Sequence, residues 1–338
     1  MFKRFANFNG KSNVRIFTNI AILCWAQLAV GLSLSIMAPF YPSEALKRDV
    51  SITISGTVIS AIYFANVVLT PLFGKYIEKF GSRTFLTLGL VFLGVGNGAI
   101  GTLEYVSQPT SFIVGSVVLR VLAAVGDSMA SPATFALVAR QVKQENQGKA
   151  TAAIESFFGI GSLFGPSIGG IFYDVGGFKS PFFFLGGISL LIAILSVVVF
   201  QDGDQGEEQG EEQDDVDVAW CGVLRAPGVM MGVLGTIMAA TAWQWYSAAI
   251  EVHFEQTFSF TSTKTGLVMM AFGLAYTLPT PVFGFLTDRG FSGMVSMVLG
   301  NIVIGLAFTF LGPVPPLDQI IDNYIWLYIL CLIAQGKK

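Results

Sequence analysis

Nine apolar runs, each long enough to cross a bilayer, dictate what this chain can fold into. They lie at 16–40, 53–73, 84–103, 112–139, 151–172, 181–200, 228–250, 266–285 and 293–311, and a tenth begins near Tyr324. A bilayer core needs about 20 mostly apolar residues in an α-helix. Without water, each backbone N–H and C=O in lipid must be satisfied internally, so the runs are predicted to be helices. Hydrophobic residues make up 53% of the sequence and charged residues 12%, more apolar surface than a soluble domain can hide. The fold class expected is an all-α polytopic membrane protein.

Charge in the loops predicts topology. Lys3, Arg4, Lys11 and Arg15 precede the first run. Lys75, Lys79 and Arg83 join the second to the third, Arg140, Lys143 and Lys149 join the fourth to the fifth, and Arg289 follows the eighth. The loops after the third and ninth runs carry neither Lys nor Arg. The positive-inside rule therefore predicts a cytoplasmic N-terminus. Between 201 and 224 lies a dense acidic stretch, with Asp202, Asp204, Glu207, Glu208, Glu211, Glu212, Asp214, Asp215 and Asp217. Like charges at this density repel, which predicts a disordered linker. The domain plan is an N-terminal tail at 1–15, a six-helix bundle at 16–200, the linker at 201–224 and a partial second bundle at 225–338.

The run at 151–172 contains Gly161, Gly165 and Gly169 at every fourth position. On a helix these share one face, where a neighbouring backbone can approach closely in lipid. Pro166 removes a donor within the same run and is expected to bend it. An internal repeat is also visible. Gly74, Glu78 and Lys79, followed by Gly81 and Arg83, share a pattern of glycine, three residues, acid and base with Gly284, Asp288 and Arg289. Six runs separate the two copies, which suggests two related six-helix halves.

Ionisable residues within apolar runs are costly and ask for a reason. Arg120 and Asp127 are seven residues apart, two turns on one face. They either line a polar cavity together or serve separately, Arg120 by snorkelling and Asp127 as a packing contact. Glu155 is a candidate proton carrier; the alternative is a solvated acid at a helix start, where the dipole favours it. Glu251 and Glu255 bracket His253 near the end of the seventh run, either as a further proton site or in a solvated loop. Trp243, Trp245 and Tyr246 suit either an interfacial aromatic belt or cation–π contact with an ammonium substrate. Tyr63 and Asn66 are further cavity candidates. The widely scattered cysteines Cys24, Cys221 and Cys331 and the single histidine His253 offer no metal-ligand spacing. No phosphate-binding glycine loop or catalytic triad pattern is present. An enzyme, a metal site and a nucleic-acid partner are therefore not expected.

The pattern Gly161-x-x-x-Gly165-Pro166-x-x-Gly169-Gly170 resembles the antiporter motif in the fifth helix of the major facilitator superfamily. The loop from Gly74 to Arg83 resembles that superfamily's signature after helix two. The resemblance implies that its charges clamp an outward-facing state, mainly against helix eleven. Arg120 and Gly126 resemble the fourth-helix pattern, with Ala123 and Ala124 replacing the usual glutamine and first glycine. Longer stretches are similar to the vesicular amine transporter family, closest to its polyamine branch. They are Ile36 to Pro42 with Glu44, Phe73 to Tyr76, Ile154 to Ser156 and Leu311 to Pro315. The resemblance implies twelve helices, a central site between two halves and alternating access. It also implies proton-coupled export of organic amines into acidic vesicles, with a proton gradient and no cofactor as the driving force. The expected partners are a small organic cation and the bilayer. Asn66 stands where that branch would carry an acid, and the acid expected within the seventh run appears only at Glu251. The tenth run gives way to Gln335-Gly336-Lys337-Lys338, so the second half is expected to be incomplete. Two rivals share these motifs: a general drug/proton antiporter at the cell surface, and a truncated, non-transporting form acting through a full-length partner.

Overall fold

The computed structural model describes residues 10–142 and 144–201, the segment 259–277 and a few single positions between 230 and 302. Nearly all of them belong to one compact unit, Met1–Asp204 with Glu251–Gly266. The helices are α1 (Gly10–Ser35), α2 (Tyr41–Leu46), α3 (Ile52–Phe80), α4 (Ser82–Gly101), α5 (Pro109–Gln141), α6 (Gln144–Gly176), α7 (Lys179–Gln201) and α8 (Ser262–Thr277). A short 3-10 turn, Thr102–Tyr105, follows α4. No strand occurs among the described residues. Among the described residues, five segments are long and apolar enough to cross a membrane: Ile16–Ser35, Ile52–Ile77, Ser82–Tyr105, Pro109–Gln141 and Lys179–Phe200.

Local chemistry sets the helix ends. Ser51 caps α3 by accepting a hydrogen bond from the Ile54 N–H. Gly81 ends α3 at φ +84°, a conformation that a side chain resists. Pro109 opens α5, where its missing donor costs nothing. The first apolar run is shorter than its sequence suggests. α1 stops at Ser35 and short turns carry the chain through 36–40 before α2 begins. Pro39 and Pro42 explain the break, since each lacks a donor and disfavours a helical residue before it.

Close backbone approach holds the bundle together. A Cβ on Gly161 would run into the Leu28 carbonyl of α1, one on Gly165 into Ser35 Oγ, and one on Gly169 into the Ile36 carbonyl. In return, Gly31 of α1 faces the Phe158 carbonyl. The predicted glycine strip is thus the α1–α6 seam. Gly126 does the same for α5, where a Cβ would meet the Leu93 N–H and the Gly89 carbonyl of α4. With no hydrophobic drive between helices in lipid, such contacts supply dispersion energy that bulkier faces would forfeit. Side chains such as Phe64, Val67 and Val68 of α3, and Leu191 and Ile194 of α7, remain exposed on the outside, as a lipid-facing surface requires.

The start of α8 is completed by α6. Asp174 Oδ2 accepts the Thr263 N–H at 2.9 Å, and Ser167 Oγ donates to the Gly266 carbonyl at 2.9 Å. Gly170 and Gly266 each lack the Cβ that would block this approach.

Candidate functional site

Four of the sequence candidates converge between α3 and α5. Arg120 is fully buried and Asp127 is 5% exposed, so neither snorkels to an interface. Arg120 donates from Nη1 to the Ser33 carbonyl of α1 at 2.9 Å. Its Nε and Nη2 make no hydrogen bond with any described residue, and neither does Asn97 Oδ1. Asn97 of α4 donates to Ser33 Oγ at 2.8 Å and to the Leu93 carbonyl at 2.9 Å. Two orphaned donors and an orphaned acceptor are therefore anchored on one residue of α1. Tyr41, Tyr63 and Asp127 lie within electrostatic reach of the guanidinium. The Tyr63 hydroxyl makes a long contact, 3.5 Å, with the Leu34 carbonyl.

Asp127 accepts from the Asn66 amide nitrogen. Asn66 Oδ1 accepts from Ser128 Oγ at 2.8 Å, and Ser128 is joined to Thr70 Oγ1 at 3.1 Å. A buried carboxyl held in a polar chain, on the same helix as a buried guanidinium with unmade hydrogen bonds, can take up and release a proton or meet a cationic ligand. Ser33, Thr70, Asn97 and Ser128 were not among the sequence candidates. Their signal was weak: small polar residues are common in membrane helices as packing contacts.

Glu155 lies elsewhere. It sits on α6 and its side chain is exposed. At the α3–α4 junction, Arg83 donates to the Phe200 carbonyl of α7 at 3.3 Å, and Lys79 is exposed. Gly74 has open space where a Cβ would sit, so among the described residues it permits no close approach. Glu78 belongs to the last turn of the same helix. Trp243, Trp245, Tyr246, Glu251, Gly284, Asp288 and Arg289 lie outside the described residues.

A second polar cluster closes the opposite end of the bundle from Arg83. Glu44 of α2 pairs with Arg48 and, at 3.4 Å, with Lys47. The Tyr173 hydroxyl of α6 donates to Glu44 Oε2 at 2.6 Å. Arg48 lies 4.5 Å over the Phe112 ring of α5 and donates to the Glu104 carbonyl. Glu44, Lys47, Arg48 and Glu104 border an open groove of about 450 Å³ together with Asp49, Val106, Ser107 and Pro109. Burial opposes the Glu44 charge, but the Tyr173 hydrogen bond and the Arg48 and Lys47 charges outweigh it and hold the carboxyl below its ordinary range. The charged form is thus favoured on folding, and its stabilisation is present above the ordinary value of 4.5 and fades as pH falls through the folded value. Glu44→Gln should cost about 1–3 kcal/mol at neutral pH. In thermal unfolding, the gap to the parent protein should narrow as pH falls below 4.5; a gap independent of pH would refute the charge assignment.

Comparison with known proteins fits this architecture. The family model described as Major Facilitator Superfamily matches residues 23–336. The mouse protein "MFS-type transporter SLC18B1" is 26% identical over 310 residues, 90% of this chain and 65% of that protein. This chain therefore spans just under two thirds of that relative's length. Multidrug resistance protein 1 of Bacillus subtilis is 21% identical, across 89% of this chain and 74% of its own. The mouse vesicular acetylcholine transporter is 28% identical over 172 residues, 51% of this chain and 30% of that one. Among solved structures, a bacterial homologue of the human lysosomal transporter Spinster superposes with a TM-score of 0.76 at 11% identity, covering 98% of this chain and 74% of that one. At that identity the likeness concerns the fold. With the family model matched across most of the chain and the helices packed in that fold, this all-α membrane protein belongs to the Major Facilitator Superfamily, a superfamily of transporters and not of enzymes.

Proposed function

We propose that the chain exchanges protons for organic cations, polyamines or monoamines, across the membrane of an acidic vesicle by alternating access. The observation that carries this reading is the buried pair Arg120 and Asp127, held among polar side chains in an otherwise apolar bundle. A carboxylate at that depth persists only if it is useful or paired, and exchange of a proton for a cationic amine uses it in both halves of a cycle. The relatives named for vesicular acetylcholine transport and for the SLC18B1 type support an amine as cargo. The basic residues at the Arg83 end support a cytoplasmic placement of that end and of the N-terminus. The bacterial multidrug relative favours a second reading, a drug/proton antiporter of the cell surface.

The test is uptake into proteoliposomes, acidic inside, of a labelled polyamine, a labelled monoamine and a cationic dye. Amine uptake that collapses with the gradient supports the first reading; dye uptake without amine uptake supports the second. Asp127→Asn should lower gradient-driven uptake at least tenfold in a protein that remains monodisperse. Glu155→Gln serves as the comparison, and a loss confined to that variant would move the proton site to α6.

A further inference from the structure

The hydrogen bonds on Asp127 form a chain with a direction. Thr70 Oγ1 donates to Ser128 Oγ at 3.1 Å, Ser128 Oγ donates to Asn66 Oδ1 at 2.8 Å, and Asn66 Nδ2 donates to Asp127 Oδ2. Thr70 and Asn66 come from α3, Ser128 and Asp127 from α5. A hydroxyl carries one proton and an amide carries a donor end and an acceptor end. With Ser128 donating to its oxygen, Asn66 has only its NH2 to offer. That end suits an ionised carboxylate and opposes one that carries its proton on Oδ2.

The same groups satisfy the protonated carboxyl if every bond reverses. A half-turn of the Asn66 amide turns Oδ1 toward Asp127, where it accepts the new O–H. The NH2 then donates to Ser128 Oγ, and Ser128 passes its own proton to Thr70 Oγ1. No bond is lost, and no buried polar group is orphaned in either state. Leu, Ser or Asp at position 66 cannot do this, because none has a donor and an acceptor on one rotatable group of that length.

Resting on the reading that Asp127 carries the coupled proton, we infer that Asn66 is a positioning residue for that proton. Its amide reverses with each protonation, keeps α3 clasped to α5 in both states, and carries the state of buried Asp127 out to Thr70 on the exposed side of α3.

Few other ionisable groups compete at this depth. α5 brings Arg120 and α3 brings Tyr63. α1 brings buried Cys24, and its Lys11 and Arg15 lie near its start. α4 has none beyond Arg83, and α6 brings exposed Glu155 in its first half and Tyr173 and Asp174 at its far end. Among the described residues, Arg120 is the remaining charge acting on Asp127.

The test measures amine uptake against luminal pH in proteoliposomes holding the full chain. Asn66→Leu removes a charge-assisted bond from the ionised carboxyl and a weaker neutral one from the protonated carboxyl, so the proton concentration for half-maximal uptake should fall at least threefold, with maximal uptake reduced at least fivefold. Ser128→Ala frees the amide oxygen and should shift the profile the same way by a smaller factor, which keeps the test open if Asn66→Leu is not monodisperse. The exchange Asn66→Asp with Asp127→Asn restores an amide–carboxylate pair across the same helices. It should recover uptake that each single change loses. Lower uptake with an unmoved pH profile in both Asn66→Leu and Ser128→Ala would make Asn66 a plain packing contact and overturn the inference. Full uptake by Asp127→Asn would instead overturn the proton-coupling reading on which it rests.

Discussion

Gly161→Leu should prevent α6 from docking on α1, with loss of monodisperse protein after solubilisation. Even the first carbon of a side chain there would meet the backbone carbonyl of Leu28. A clash with the end of a flexible side chain is relieved by a rotamer change, but a clash with backbone moves a helix. Overpacking typically costs about 1–3 kcal/mol, and a displaced seam also forfeits its neighbours at Gly165 and Gly169. The same helix supplies the control. A Cβ at Gly159 would meet nothing within 4 Å, so Gly159→Leu should leave the size-exclusion profile and unfolding midpoint close to the parent's. Equal behaviour of the two variants would show that the α1–α6 seam does not depend on backbone contact.

Arg120→Leu should separate stability from transport. Arg120 is among the largest fully buried side chains, yet the structure gives its guanidinium one hydrogen bond, to the Ser33 carbonyl. No carboxylate bridges Arg120 among the described residues, so its removal forfeits one hydrogen bond and relieves the cost of burying an underpaired charge. The unfolding midpoint should therefore stay level or rise, while gradient-driven uptake falls at least tenfold. A protein that loses both would assign Arg120 to the architecture. One that keeps both would leave the charge without a role.

The sequence made some of this legible and hid the rest for physical reasons. The bilayer imposes a length and a polarity, so the apolar runs through 181–200 could be located, except for the end of the first, which stops at Ser35 and not at 40. The glycine strip was legible because its period matches the helical repeat, and its partner is the neighbouring α1. Arg120 and Asp127 stood out because charges are rare in such runs. What could not be read is who meets whom. Asn66 and Asp127 are 61 residues apart, and nothing local in either run points to the other. Asn66 registered as the loss of an expected acid, when in the structure it is the donor to an acid on another helix. Helix spacing set Glu155 apart from the glycine strip, and the structure leaves its side chain exposed on α6. Glu44, Arg48 and Tyr173 belong to segments that sequence treats as loops or helix ends, yet together they close one end of the bundle.

The Asp174 contact with the Thr263 N–H has a consequence for how the protein is made. A chain emerges from the ribosome N-terminus first, so Asp174 is available 89 residues before Thr263 appears. The donor that α8 leaves unsatisfied at its start thus meets an acceptor that is already waiting, on a helix already seated against α1. The earlier bundle acts as a template on which the later segment finishes its first turn, and the order of synthesis matches the order of dependence. A circular permutant that delivers 262–277 ahead of α6 would encode the same final contacts, yet would insert this segment before the acceptor for its first turn exists.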